Sequence, residues 1–307
     1  MDDKAPTIAA GKSIASVLNA VADYFEHSNV YFGHGTDNAW DEAVQLVMGA
    51  AGLPANSGED VLGELIDAVT ASRISSLVST RVIQQIPLPY LLEKAWFAGL
   101  EFKCDRRAII PRSPMAELVL NAFEPWVVID GPLRVLDLCC GGGSIGLAVA
   151  YYFPNARVEL VDLDEDAVAL ARENAVLLGV EDRVTIYPSD LFSAVAEDAV
   201  FDIVLSNPPY VNAADLSAMP AEYHHEPAMA LGSGEDGLNL THQILARAGD
   251  FLAPGGSLFV ELGYSWPALE LAYPLVPFTW LEFEQGGEGV FTLTAEQWQH
   301  YSESWRR

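Results

Sequence analysis

The segment Arg134-Val135-Leu136-Asp137-Leu138-Cys139-Cys140-Gly141-Gly142-Gly143-Ser144-Ile145-Gly146-Leu147-Ala148 restricts the fold of this 307-residue chain more than any other stretch. Its first part reads as a short apolar strand, its middle as a glycine turn, and its end as the start of an apolar helix. A unit of that kind brings bare backbone and a helix N-terminus up to a ligand. Gly141, Gly143 and Gly146 fit the G-x-G-x-x-G spacing, which nicotinamide and flavin folds share. Asp137, four residues before Gly141, points elsewhere, because a carboxylate at the strand tip suits a cation better than a pyrophosphate.

The pattern continues downstream. Arg157-Val158-Glu159-Leu160-Val161-Asp162 ends in a second acid, placed where an acidic residue grips ribose hydroxyls in dinucleotide folds. Val184-Thr185-Ile186-Tyr187 leads to Ser189-Asp190-Leu191, offering Asp190 to an exocyclic amine and Leu191 to an adenine face. Singly, each acid reads as a turn or helix-cap residue. Three acids at successive strand ends, with glycines after the first, read as one ligand site. From Pro114 onward strands and helices alternate, with helices over Asp164 to Leu178 and Leu238 to Phe251, and a strand Ser257 to Glu261 after the turn Pro254-Gly255-Gly256. The alternation predicts an α/β fold: a parallel sheet with helices on both faces and ligands at the carboxyl ends of its strands.

The apolar run Phe201-Asp202-Ile203-Val204-Leu205-Ser206 reads as a buried parallel strand, and Asn207-Pro208-Pro209-Tyr210 ends it abruptly, since proline lacks the N–H and fixes φ. At such an exit the Asn207 side-chain carbonyl and the Pro208 backbone carbonyl can serve as two convergent acceptors, with the Tyr210 ring as an apolar wall. That arrangement suits a planar NH₂ group, such as an amide or an adenine amine. Asp137, Asp162, Asp190 and Asn207 all fall at strand ends.

Taken in order, these residues resemble the class I S-adenosylmethionine-dependent methyltransferases, and the tetrapeptide resembles those that methylate an amide or exocyclic amine nitrogen. Within that group the chain is similar to the N5-glutamine methyltransferases, whose two bacterial branches act on release factors and on the third protein of the large ribosomal subunit. Ile109-Ile110-Pro111-Arg112-Ser113-Pro114-Met115-Ala116-Glu117-Leu118 resembles the ribosomal-protein branch, where the other branch has Arg-Pro-Glu-Thr-Glu. Gly33 to Glu42, His225-Glu226-Pro227, Gly234-Glu235-Asp236-Gly237-Leu238, Trp280-Leu281-Glu282-Phe283 and Gly286-Gly287-Glu288-Gly289-Val290-Phe291 carry the likeness along most of the chain. Cys140 and Gly142 depart from the usual Thr and Ser of the glycine loop.

The resemblance implies a Rossmann-like catalytic domain over 114–307, a helical substrate-recognition domain over 1–97, and a β-hairpin linker over 98–113. It implies S-adenosylmethionine as cofactor, held by Asp137, Cys139, Gly141, Gly143, Asp162, Asp190, Leu191 and Asn207. Asn207, Pro208, Pro209 and Tyr210 are the implied catalytic residues, acting on a glutamine side chain of a basic ribosomal protein. No metal is expected, because adjacent histidines in His224-His225-Glu226 rarely face one ion. Alternatives are the release-factor branch, an adenine DNA methyltransferase, and a ribosome-assembly binder whose methyl transfer is secondary.

Within the N-terminal half, helical spacing predicts helices over Ile14 to Phe25, Trp40 to Met48, Glu59 to Val69 and Arg73 to Gln85. Leu100-Glu101-Phe102-Lys103 and Ala108-Ile109-Ile110 read as a strand pair around the turn Cys104-Asp105-Arg106-Arg107. The chain carries 43 acids against 16 bases, a formal net charge of −27. Such a field repels nucleic acid, which argues against a DNA-reading surface; it either attracts cationic partners or serves solubility or a salty habitat, the acids being spread through the chain. No apolar stretch approaches the ~20 residues that span a bilayer. Met1-Asp2-Asp3-Lys4 lacks signal-peptide features, and three cysteines are too few for a disulfide framework, so a cytoplasmic location is expected.

Overall fold

A computed structural model describes residues 7–54 and 56–305, which leaves Met1-Asp2-Asp3-Lys4 outside the described residues. The chain divides into two compact units: one ends at Ala95 and takes in Pro220–His225, and the other starts at Trp96 and holds the rest.

The first unit is helical, with α1 (Ile14–Glu26), α2 (Ala39–Ala51), α3 (Ala68–Gln84) and α4 (Leu88–Leu92). Ser13, Asn38 and Asp67 cap the first three, each side chain accepting a first-turn N–H that the helix leaves open. Ile14, Val17, Leu18, Val21 and Phe25 recur at helical spacing and share a core with Leu46, Val47, Ile74 and Val78. The helix expected over Glu59 to Val69 does not form. Glu59–Gly63 is a single 3-10 turn, Leu65 bridges to Ser13, and Asp67 starts α3. Gly58 and Gly63 weaken a helix there, and the Asp67 carboxylate competes as a cap.

The hairpin also differs from expectation. Its strands are β1 (Lys94–Phe97) and β2 (Leu100–Lys103), and Ala108-Ile109-Ile110 is not a strand. Ala98 and Gly99 both have positive φ, +49° and +76°, the two-residue turn whose twist matches a hairpin. That local turn closes before the longer Cys104–Arg107 connection can act. Asp105 and Arg107 hold each other there instead.

Beyond the hairpin follow α5 (Met115–Leu120), β3 (Leu133–Leu138), α6 (Ser144–Tyr152), β4 (Ala156–Asp162), α7 (Glu165–Leu178), β5 (Val184–Pro188), β6 (Phe201–Ser206), α8 (Ala213–Ala218), α9 (Asn239–Arg247), β7 (Leu252–Glu261), α10 (Trp266–Ala272), β8 (Thr279–Trp280), β9 (Val290–Thr294) and α11 (Ala295–His300). The sheet order is β5-β4-β3-β6-β7-β9-β8, with β9 antiparallel to β7 and β8 and the other pairs parallel. Pro254-Gly255-Gly256 lies inside β7, where the register against β6 slips between Phe201 and Ile203. Helix α9 stops at Arg247, and Ala248–Asp250 continues as a 3-10 turn.

Successive side chains of a strand face opposite ways, and here both faces are covered. Val135, Leu160, Ile203 and Leu205 join one apolar cluster with α6 and α7, while Leu136, Leu138, Val161 and Val204 join a second with α9 and α11. Strands β3, β4 and β5 run outward on one side of β3, and the chain then returns to place β6 on its other side. That reversal is a topological switch point, where open α/β sheets bind ligands. Among the described residues, no helix is long and apolar enough to cross a membrane.

Candidate active site

Register aligns the strand ends that matter. Leu138 pairs with Val161 and Ser206, and Asp162 pairs with Pro188, so residues 139, 162, 189–190 and 207 leave the sheet along one edge. Short hydrogen bonds tie these exits together. Ser206 Oγ donates to the Leu138 carbonyl at 3.0 Å, the Cys140 N–H to the Val161 carbonyl at 3.0 Å, and the Ser189 N–H to the Asp162 carbonyl at 2.8 Å.

A cavity opens along this edge. Cys139, Gly141, Asp162, Asp190, Leu191, Asn207 and Pro209 line it, and Ala108, Ile109, Pro227 and Met229 complete its walls. Cys139 and Leu191 have φ of +56° and +46°, a region bulky side chains avoid, and such strain concentrates where a ligand is clamped. Asp162 Oδ2 accepts the Gly141 N–H at 2.8 Å and Oδ1 the Asp164 N–H at 3.0 Å, which fixes the glycine turn against β4. Burial raises the Asp162 carboxyl above its ordinary range, opposed by those N–H donors. Among the described residues no protein group hydrogen-bonds the Asn207 side chain, so its amide is free for a ligand.

Other residues expected in the site stand behind the cavity. Asp137 is buried, and its Oδ2 accepts the Gly146 N–H at 2.8 Å while Oδ1 has no partner. A Cβ on Gly146 would lie 2.9 Å from that Oδ2 and 2.8 Å from Leu160, so only glycine lets the helix start approach. Gly143 caps α6 at φ +83°, and neither it, Pro208 nor Tyr210 lines the cavity. Burial raises the Asp137 carboxyl to about 7. The folded protein therefore keeps this proton up to about pH 7, while the unfolded chain releases it near pH 4. Asp137 thus stabilises the fold at low pH and ceases to as pH rises through that window. Denaturant titrations from pH 4 to 7 should show a smaller loss of stability with rising pH in Asp137→Asn than in the parent. Identical pH slopes would refute the assignment.

The donor set fits S-adenosylmethionine. Acids and an amide face the cavity, with backbone at the glycine turn and apolar walls at Leu191 and Ile109. Arg107 also lines it, yet its guanidinium is held by Asp105 at 2.7 Å and Glu173 at 2.7 Å, which leaves little to attract a pyrophosphate.

Residues 117–224 match the family model of the methyltransferase small domain. The chain is 42% identical over 304 residues to a ribosomal protein uL3 glutamine methyltransferase of Francisella tularensis subsp. tularensis, spanning 96% of both chains. A second such enzyme, from Neisseria gonorrhoeae, is 40% identical over 290 residues, 93% of this chain and 95% of the relative. The chain belongs to the ribosomal protein uL3 glutamine methyltransferases. Among solved structures, a methyltransferase from Pyrococcus furiosus aligns with 64% of this chain and 89% of its own, at 18% identity and a TM-score of 0.43.

In this uL3 methyltransferase family member, sequence reasoning missed the partners of the Arg112-Ser113 segment. Arg112 binds the buried Glu226 carboxylate through two nitrogens, at 2.6 and 2.9 Å, and the Ile110 N–H donates to the same Glu226 at 3.0 Å. Ser113 donates to Glu261 at 2.5 Å. The sequence carries no signal for these pairs, since Arg112 and Glu226, and Ser113 and Glu261, stand more than a hundred positions apart. His225, considered with His224 and Glu226 as a metal set, belongs to the first unit, where its Nε2 contacts the Gln84 carbonyl.

Proposed function

We propose that this chain transfers a methyl group from S-adenosylmethionine to the N5 nitrogen of a glutamine side chain in ribosomal protein uL3. The observation that carries the reading is the Asn207 amide, which has no protein partner among the described residues and lines a cavity together with Asp162, Asp164 and Asp190. An amide nitrogen is a poor nucleophile, because its lone pair is delocalised into the carbonyl. The Asn207 side-chain carbonyl and the Pro208 backbone carbonyl would accept its two N–H bonds, fixing the NH₂ and making the nitrogen more electron-rich as the new bond forms. Alignment and preorganised acceptors supply the rate, and the alkylated nitrogen is acidic enough to lose its proton afterwards. The cofactor supplies an electrophilic methyl group when bound. Asp162 would accept the ribose hydroxyls, and Asp190 and Leu191 would meet the adenine amine and ring face; that all three line the cavity supports this. Asp137 would act behind them, holding the start of α6 at Gly146.

The two relatives named for uL3 support this substrate over a release factor, as does the Arg112-Ser113-Pro114 segment. Methyl transfer from labelled cofactor to a mixture of ribosomal proteins and release factors, read by peptide mass, tests it. Label on a uL3 glutamine is expected, and label only on a release factor would overturn the substrate. The cytoplasm, where ribosomal proteins are made, is the proposed location; the three cysteines are free.

The helical unit is the proposed substrate-recognition domain, and the net charge of −27 would steer a basic protein toward the enzyme. Raising salt from low to several hundred millimolar should weaken uL3 binding severalfold while S-adenosylmethionine affinity hardly moves, since screening acts on long-range pairs. Calorimetric titrations that find salt-independent uL3 binding would remove the steering role.

A further inference from the structure

The Asn207-Pro208-Pro209 turn ends on Tyr210, which three separate segments enclose. Ser265 Oγ donates to the Tyr210 carbonyl at 2.7 Å. A Cβ on Gly237 would collide with that same carbonyl oxygen, and one on Gly263 would lie 2.7 Å from the ring at Cε2. The Tyr210 hydroxyl donates to Glu261 Oε1 at 3.2 Å, and the other carboxylate oxygen accepts from Ser113 at 2.5 Å. Ser113 Oγ also accepts the Met115 N–H at 3.1 Å, which directs its own hydrogen toward Glu261. Glu261 closes β7 and is buried, and burial raises its carboxyl while both hydroxyls oppose the shift.

Packing alone would not favour a carboxylate here. A buried acid held by two hydroxyls is expensive beside an apolar residue of similar volume. What a carboxylate adds is a one-way rule: both its oxygens only accept, so both hydroxyls must donate and the Tyr210 ring is fixed in one tilt. An amide at this position would accept on one side only.

We propose that Glu261, braced by Ser113, is a positioning residue that orders the Tyr210 ring and through it the Asn207-Pro208-Pro209 turn that receives the substrate amide. This rests on the methyl-transfer reading above. It gives the Arg-Ser-Pro segment and the Gly234–Gly237 segment a shared task at the acceptor end of the site, apart from cofactor binding.

The test is a double-mutant cycle on the full-length protein with Tyr210→Phe, Glu261→Gln and the pair. Single-turnover transfer to recombinant uL3 should fall on the order of 10–100-fold in each single variant, as displacement of a reacting group does. The double variant should be no slower than the slower single, with S-adenosylmethionine affinity unchanged throughout. Independent, multiplying losses, or a wild-type rate in Glu261→Gln, would overturn the proposal. Ser113→Ala is the second arm, expected to lower the rate less than Glu261→Gln, and it serves should Glu261→Gln fail to fold. Carbon-13 tyrosine spectra give a readout that needs no substrate: the Tyr210 signal, assigned by its loss in Tyr210→Phe, should broaden or shift in Glu261→Gln and Ser113→Ala. An unmoved Tyr210 signal would overturn the ordering role. If the wild-type protein leaves uL3 unmodified, the substrate reading fails, and the spectra still decide the role of Glu261.

Discussion

Asn207→Ala is expected to leave S-adenosylmethionine affinity nearly intact and to depress methyl transfer to uL3 by about 10²–10³ in kcat, roughly 3–4 kcal/mol of transition-state stabilisation. The reasoning starts from position. Asn207 follows the last residue of β6 and lines the cavity with no protein partner among the described residues, whereas Asp162 and Asp190, the acids proposed to hold the cofactor, sit at the exits of β4 and β5. Removing its amide deletes one of two acceptors for the substrate NH₂ and leaves the glycine turn and Asp162 as they were. Asn207→Asp separates acceptance from orientation. The carboxylate still accepts and adds a negative charge beside a cationic ligand, so cofactor affinity should hold or rise while the amide is misplaced and the rate stays low. Pro208→Ala should do less, because its acceptor is a backbone carbonyl and only rigidity is lost. Equilibrium dialysis with labelled cofactor and single-turnover quench experiments read the two effects apart. Loss of cofactor binding in Asn207→Ala, or a wild-type single-turnover rate, would falsify the role given to this residue.

Legibility in the sequence followed the range of the interactions. The exits of β3, β4 and β6 were readable because a buried parallel strand is a short apolar run that stops at an acid, a glycine or a proline, and Asp162, Gly141 and Asn207 stand at those stops. The hairpin was misplaced because Ala98 carries no turn signature in its side chain, and its left-handed backbone appears only in the fold. Glu59 to Val69 has helical spacing, but Gly63 and the Asp67 cap outweigh a pattern that short. Asp137 was read as facing a ligand and instead holds Gly146 from behind, since spacing cannot say whether a strand-end acid points along the edge or into a helix start. Glu226 and Glu261 were invisible for another reason: each is one acid among 43, and burial beside Arg112 or Ser113 is what marks it.

Arg81→Ala should destabilise the helical unit by about 3–5 kcal/mol, the usual result of removing one member of a buried ion pair. Arg81 is 1% exposed, and each of its three nitrogens has its own acceptor: Nε binds Glu42 at 2.5 Å, Nη1 binds Glu222 at 3.0 Å and Nη2 binds the Tyr31 carbonyl at 2.8 Å. Glu222 lies in the Pro220–His225 segment, distant in sequence from α3, and its Oε1 also accepts the Tyr31 N–H at 2.8 Å. Without the guanidinium two buried carboxylates face each other uncompensated. Arg81→Lys should recover only part of the loss, because one ammonium cannot meet three acceptors set in a plane. The pH dependence gives the sign. Burial already raises the Glu42 carboxyl above its ordinary range, with Arg81 opposing the shift. Deleting Arg81 raises it further, so the variant's deficit should shrink as pH falls toward 5 and Glu42 takes up a proton, and grow again as pH rises. Loss of the anchor also predicts a local effect: chymotrypsin should cut at Tyr223 faster in Arg81→Ala than in the parent. Thermal melts at pH 5 and 7 with mass mapping of the first cleavage measure both. An unchanged melting temperature and an uncut Tyr223 would show that Glu222 is held in the first unit by something other than Arg81.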